Sequence, residues 1–388
     1  MSGNYEGRSS IPHVEEMEAE NVVEVKGLKK YFDIKMGLKG LWSKEQHHVR
    51  AIDDITFNIR RGEIIGFVGE TGCGKTTVGR LILRLETPTA GVIKFEGTDL
   101  ASLKTKQVKQ FRRKAQMIFQ DPYASLNPRM TVSQTVSEPL INYGMRKQPE
   151  LMAEKVAQSL KDAGLRPIDE YIERFPHELS GGERQRVSIA RTLVMDPTFI
   201  VADEPVSMLD VSIRAGVMNL MLGLRDRYGI AYQMITHDIS VARFMSDRIA
   251  IMYLGKIMEL ADTETIVKRP YHPYTRALIK AVPIADPTRE RPDLPIKGEI
   301  PSPLARPRGC VFNTRCVFAK DECQETIPEL KLLARDHKVA CILAHRGDLP
   351  EPEPLEDDET CEDYVPPGTV EPGSGRTPGP GLKEGGPE

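Results

Sequence analysis

Gly69-Glu70-Thr71-Gly72-Cys73-Gly74-Lys75-Thr76 fits the pattern G-x-x-x-x-G-K-[ST], with Thr77 directly after it. Each residue type answers a physical need of a phosphate chain. The glycines let the backbone wrap with its N–H groups turned inward. A helix that begins at the end of the loop adds the positive end of its dipole. Lys75 has the reach and charge for the β- and γ-phosphates of a nucleotide, and the Thr76 hydroxyl suits Mg²⁺. Cys73 reads as a small loop residue.

Phe199-Ile200-Val201-Ala202-Asp203-Glu204 is an apolar run that ends in two carboxylates. Beside a phosphate loop, Asp203 would support Mg²⁺ and Glu204 would orient or deprotonate the attacking water. Leu179-Ser180-Gly181-Gly182-Glu183-Arg184-Gln185-Arg186 offers a second anion-binding helix start. Ser180 is its expected N-cap and Glu183 the partner in a capping box. No N-K-x-D guanine-reading motif occurs, which argues against a GTPase.

These residues need rigid elements to bring them together. Residues 62–69 read as a buried strand running into a turn, and residues 76–85 as the helix after it. Residues 199–202 and 231–236 read as two more buried strands. Apolar runs alternating with helical segments over residues 22–261 predict a mainly parallel α/β sheet. The rest of the chain is bounded more loosely. Residues 1–20 form a polar leader without a secretory h-region. Residues 33–49 look like an insertion that carries Trp42 and several basic residues. The tail after 345 is rich in Pro, Glu, Asp and Gly and is expected to stay disordered. The expected divisions are therefore 1–20, 21–262, 263–345 and 346–388.

The chain has 388 residues, 40% hydrophobic and 28% charged, with a net charge of -3. Such a balance exerts no general pull toward nucleic acid, so no nucleic-acid partner is expected. No run approaches the roughly 18 apolar residues of a membrane span, so a membrane role would come through a partner.

As an ordered set, the motifs resemble the ATP-binding subunits of ABC transporters over roughly residues 22–345. Walker A lies at 69–76, a Q-loop at Gln120, the L-S-G-G signature at 179–182, Walker B at 199–204, a D-loop at 207–210 and a switch histidine at His237. The resemblance implies a P-loop core with a helical subdomain and an antiparallel β subdomain. It implies ATP and Mg²⁺ as ligands, with Thr76, Gln120 and Asp203 toward the metal and Glu204 and His237 as catalytic residues. It also implies head-to-tail pairing, in which Ser180, Gly181, Gly182 and Asp210 serve the ATP held by the partner. Phe32 is the candidate for stacking on adenine, with Tyr31 the alternative. The D-loop reads Ser207-Met208-Leu209-Asp210, where the family commonly has Ala in place of Met208.

Phe119-Gln120-Asp121-Pro122-Tyr123-Ala124-Ser125-Leu126-Asn127-Pro128-Arg129-Met130 is similar to the Q-loop region of oligopeptide and dipeptide importers. Tyr271-His272-Pro273-Tyr274-Thr275-Arg276-Ala277-Leu278 resembles a segment that the same subunits carry after the core. Pro273 is expected to stop one helix, with another starting near Thr275, and His272 to be structural. The partners so implied are two membrane permeases, a second and non-identical ATPase subunit, and an extracytoplasmic solute-binding protein. The implied location is the cytoplasmic face of the membrane. The cargo is a peptide by this resemblance, with nickel or oligosaccharides as alternatives within the group. A soluble ABC ATPase is the reading from another class, and the single core without a heptad run disfavours it.

Four of the six cysteines follow the spacing Cys310-x₅-Cys316-x₆-Cys323-x₁₇-Cys341. Four thiolates can ligate a [4Fe–4S] cluster or Zn²⁺. The absence of tight C-x₂₋₄-C pairs favours the cluster, as does its presence in some members of the peptide-importer group. Unligated, reduced thiols are the third possibility.

Overall fold

The computed structural model describes residues 20–33, 48–282, 294–302, 304–334 and 336–351. Two sheets organise them. The larger has eight strands in the order β11-β12-β10-β9-β3-β8-β7-β6. At its centre β3 (Ile64–Val68), β7 (Phe199–Asp203), β8 (Ala231–Thr236) and β9 (Arg248–Tyr253) are buried along their whole length. These four run parallel, with β6 (Ala115–Ile118) added beside β7. Burial on both faces explains why they read as unbroken apolar runs rather than alternating ones. β10 (Lys256–Asp262) folds back antiparallel to β9, and β12 (His337–Val339) and β11 (Lys331–Ala334) continue beyond it. The smaller sheet has the order β2-β1-β4-β5 and is antiparallel. It is built from β1 (Asn21–Asp33), β2 (His48–Arg60), β4 (Ala90–Phe95) and β5 (Thr98–Asp99).

Helix α1 (Lys75–Ile82) leaves the phosphate loop and buries Val78, Leu81 and Ile82 between the two sheets. α2 (Thr105–Lys114) precedes β6. A separate apolar cluster joins α4 (Val132–Asn142), α5 (Pro149–Asp162) and α6 (Gly181–Leu193), with Leu126 at the end of α3 (Pro122–Ser125), into a helical subdomain around Val136, Leu140, Leu160 and Val187. α6 begins as its sequence predicts. The Glu183 N–H donates to Ser180 Oγ at 3.3 Å, and the Ser180 N–H donates to Glu183 Oε2 at 2.8 Å. α7 (Val211–Tyr228) and α8 (Ile239–Met245) cover the other face of the sheet, the first ending at Gly229 in the left-handed conformation.

The C-terminal region packs onto the core through α9 (Thr263–Lys268), α10 (Pro273–Lys280), α11 (Glu322–Glu325) and α12 (Ile342–Arg346). Pro273 differs from the expectation. It does not stop a helix but opens α10 at the first helical position, where its missing N–H costs nothing. His272 is the N-cap, and its Nδ1 accepts the Tyr274 N–H at 3.0 Å. Burial pushes the His272 imidazole down to about 4, so it stays neutral. Glu259 on β10 is fully buried and ties the region together. It accepts the Tyr271 and His272 N–H groups at 2.8 and 3.0 Å and faces His337 Nε2 at 2.6 Å. Among the described residues no helix is long and apolar enough to cross a membrane. Most of the insertion, most of the leader and the tail beyond Glu351 lie outside the described residues.

Candidate nucleotide site

The parallel strands of the larger sheet deliver the motif residues to one edge. β3 ends at the phosphate loop, β7 at Asp203 and Glu204, and β8 at His237. Between them opens a cleft of about 480 Å³. Thr71, Gly72, Gly74, Lys75, Thr76 and Thr77 form its floor, and Gln120, Glu204 and His237 form one wall. The loop's glycines are sterically required. A Cβ at Gly69 would lie 2.1 Å from the Met252 carbonyl oxygen, and one at Gly74, where φ is 109°, would lie 2.5 Å from that of Ala51.

Within this cradle Lys75 is buried, and its Nζ donates to the carbonyls of Gly69 at 2.6 Å and Glu70 at 3.1 Å. The ammonium is thus held by backbone dipoles that a phosphate can replace. The Thr76 hydroxyl donates to Asp203 Oδ1 at 3.0 Å. Burial raises the Asp203 pKa, opposed by that hydrogen bond. A hydroxyl and a carboxylate side by side are hard oxygen donors that fit Mg²⁺. Cys73 is buried, which raises its thiol pKa, so it stays a protonated packing residue.

Glu204 has a φ of 45°, an unusual value for a non-glycine residue that places its backbone under strain. Its own N–H donates to the Ile235 carbonyl at 2.9 Å, which fixes the turn against β8. The carboxylate is shared by two neighbours. Gln120 Nε2 donates to Oε2 at 2.9 Å, and His237 Nδ1 lies 3.1 Å from Oε1. Three residues far apart in sequence therefore converge on one carboxylate.

The signature segment, Asp210 and Phe32 do not line this cleft. Ser180 and Gly181 open α6, away from it. Phe32 lies on β1 opposite Val49, which does line the cleft, and its ring is part-exposed under Lys30 Nζ at 4.7 Å. Tyr31 is engaged elsewhere, its hydroxyl donating to Asp53 Oδ1 at 2.8 Å. Two arginines of the C-terminal region reach the site without any motif to announce them. Arg306 lines the cleft, and Arg315 Nη1 donates to both Glu70 oxygens in the phosphate loop.

The four cysteines are near neighbours. Cys310 packs with Cys323 and Cys341 in one apolar cluster and with Cys316 in another, and the Cys310 N–H donates to the Cys323 carbonyl at 2.8 Å. Burial pushes the Cys310 thiol up to about 12 and the Cys316 thiol up to about 11. Among the described residues no group of three or more His, Cys, Asp or Glu side chains is arranged to hold a metal ion.

Fold and site define a P-loop ATPase of the ABC type. Residues 52–207 match the ABC transporter family, and residues 258–323 match the family described as oligopeptide/dipeptide transporter, C-terminal region. The oligopeptide transport ATP-binding protein AppF of Bacillus subtilis is 46% identical over 330 residues, covering 84% of this chain and 98% of that protein. A putative peptide import ATP-binding protein of Brucella ovis is 44% identical over 321 residues, covering 83% of this chain and 97% of that protein. Among solved structures, the dimeric ABC transporter cassette MJ0796 superposes with a TM-score of 0.54 at 30% identity, covering 62% of this chain and 98% of that one. CbiO1 of Clostridium perfringens superposes with a TM-score of 0.55 at 26% identity, covering 64% of this chain and 90% of that one. The chain belongs to the ATP-binding subunits of the oligopeptide/dipeptide ABC transporter family.

Proposed function

We propose that this chain hydrolyses ATP to power the uptake of peptides through membrane permeases, to which it binds at the cytoplasmic face. The observation that carries the chemistry is Glu204 held between Gln120 and His237 at the wall of the phosphate cleft. When bound there, Mg²⁺ would neutralise charge on the β- and γ-phosphates, held by Thr76 and Asp203 with Gln120 toward it. Lys75 exchanges its backbone carbonyls for phosphate oxygens. Glu204 accepts a hydrogen bond from the attacking water or takes its proton, and His237 steadies both that carboxylate and the γ-phosphate. Phe32, exposed beside Val49, stacks on the base.

The site is half of a pair in this account. Ser180, Gly181, Gly182 and Asp210 serve the ATP of a second, non-identical ATPase subunit. Their position outside the cleft supports that role, as do the exposed apolar side chains of Met208 and Val211 on the D-loop side. The peptide cargo is supported by the relatives' names and by the match of residues 258–323. An extracytoplasmic solute-binding protein would deliver it. We take the functional divisions as 1–20, 21–262, 263–345 and 346–388.

The four cysteines belong to the same proposal as ligands of a [4Fe–4S] cluster, with zinc the alternative. What supports this is the packing of Cys310 beside Cys323 and Cys341 in one apolar cluster and beside Cys316 in another. The high thiol pKa values mean that a metal would have to displace protons on binding. Iron, acid-labile sulfide and zinc assays on anaerobically purified protein test the module, and a metal-free protein of unchanged stability would remove it. Co-purification from membranes with mass spectrometry tests the transporter assignment. Recovery only in the soluble fraction, without permeases, would count against it.

A further inference from the structure

The strand order divides the phosphate loop's surroundings into two sides. β3 leads into the loop. β8 and β7 flank β3 on one side and carry His237 and Glu204. β9 flanks it on the other and leads into Leu254 and Gly255, which line the cleft together with Val49, Arg50 and Ala51 of β2. Hydrolysis occurs at the terminal phosphate, so that end of the nucleotide lies toward Glu204 and His237. The base and ribose are left with the β2 and β9 side.

Arg306 belongs to that second side. It comes from the C-terminal region yet lines the nucleotide cleft. Its guanidinium is held in place rather than free in solvent. Nη1 donates to Asp53 Oδ2 at 2.7 Å, and the two side chains are only 13% and 12% exposed. Asp53 is itself fixed by the Tyr31 hydroxyl at 2.8 Å and by Lys256 Nζ, 3.7 Å from Oδ2. Burial alone would raise the Asp53 pKa, but the Tyr31 hydrogen bond and the cations Lys256, Arg306 and Arg50 outweigh it and keep the carboxylate charged. The Asp53 N–H also donates to the Gly255 carbonyl at 2.9 Å, so the network is tied to the cleft wall. Arg306 Nη2 is buried and has no hydrogen-bond partner among the described residues, so the cleft-facing part of the guanidinium is what a ligand can meet.

We propose that Arg306 is a nucleotide-binding residue that contacts the base-and-ribose half of ATP, so that the C-terminal region completes the ATP site in cis. A planar guanidinium oriented by a carboxylate presents a flat cationic face to a purine. Lysine at the same position keeps the charge and can still pair with Asp53, but it loses the plane and the fork.

This assignment rests on the ATP site described above, and the experiment separates the two. Binding of the non-hydrolysable ATP analogue AMPPNP with Mg²⁺, whose base and ribose are unmodified, is measured by isothermal titration calorimetry on the purified full-length chain, for the unmodified protein and for Arg306→Lys, together with thermal unfolding. Inorganic tripolyphosphate, which lacks base and ribose, is titrated as competitor. The expected result is about a three- to tenfold weaker AMPPNP affinity for Arg306→Lys. The intrinsic affinity for tripolyphosphate and the melting temperature should be close to those of the unmodified protein. An unchanged AMPPNP affinity would overturn the assignment, whether or not stability falls. Equal weakening toward AMPPNP and tripolyphosphate would also overturn it, because Arg306 would then act through the phosphate loop. An unmodified protein that shows no saturable AMPPNP binding would instead refute the underlying ATP site.

Discussion

Arg315 and Glu70 join the C-terminal region to the phosphate loop through a single nitrogen. Arg315 Nη1 donates to Glu70 Oε1 at 2.8 Å and to Oε2 at 2.9 Å, with the two side chains 7% and 23% exposed. The Glu70 N–H is held as well, donating to the Tyr274 hydroxyl at 3.1 Å. Tyr274 packs against Tyr253 and Phe312 with ring centroids 4.8 and 5.2 Å away. Because the Glu70 carbonyl also receives Lys75 Nζ, one loop residue connects the buried lysine of the loop to an aromatic and ionic support built by a later segment.

Arg315→Ala leaves Glu70 without its cation in a largely buried setting. A loss of about 1.5–3 kcal/mol in unfolding free energy is expected, as for a hydrogen bond to a charged group. Glu70→Ala should cost less on the background of Arg315→Ala than alone. Urea denaturation of both single variants and the double variant gives the coupling, expected at roughly 0.5–3 kcal/mol. Strict additivity would show that the pair contributes nothing.

Glu204→Gln keeps the shape of the side chain and removes the negative charge that water must meet. ATP binding should persist, while turnover falls by about 10²–10⁴-fold, the usual share of a general base. Steady-state ATPase assays and equilibrium nucleotide binding measure the two separately. Near-normal turnover would remove Glu204 from the catalytic role.

His272 gives a pH dependence with a defined sign. Its pKa falls from 6.5 to about 4 on burial, so the unfolded chain binds a proton that the folded chain refuses. Stability is therefore full above about pH 6.5 and declines as the pH drops toward 4, by about 3 kcal/mol in total. Asn can replace the N-cap acceptor but does not titrate. In His272→Asn, the difference in melting temperature between pH 7.5 and pH 5 should shrink. An undiminished difference would assign the acid sensitivity to other groups.

The gathering of the motif residues at one sheet edge was legible in the sequence, because residue type and spacing mark the ends of the buried strands. Lys75, Thr76, Asp203, Glu204 and His237 each follow or end a buried apolar run, and parallel strands in one sheet necessarily end at one edge. The cap at Ser180 and Glu183 was equally readable, since it is local. The helix expected to start near Thr275 is there and begins at Pro273 itself, but no helix runs up to Pro273, since α9 already ends at Lys268. The left-handed backbone at Glu204 left no mark in the sequence, because tertiary contact with β8 imposes it. Arg306 and Arg315 were invisible for a related reason. Each is a lone arginine more than 200 residues from its carboxylate partner, and only the folded chain pairs it with Asp53 or Glu70. The spacing of the four cysteines left metal ligation and free thiols both open, and among the described residues they are not arranged to hold a metal ion.

The most direct measurement is uptake of a radiolabelled peptide into proteoliposomes that contain the permeases, the second ATPase subunit and this chain, with the solute-binding protein outside and MgATP inside. Uptake with the unmodified chain and its loss with Glu204→Gln, while nucleotide binding persists, is the predicted result. Peptide uptake that proceeds equally with Glu204→Gln, or without this chain at all, would contradict it.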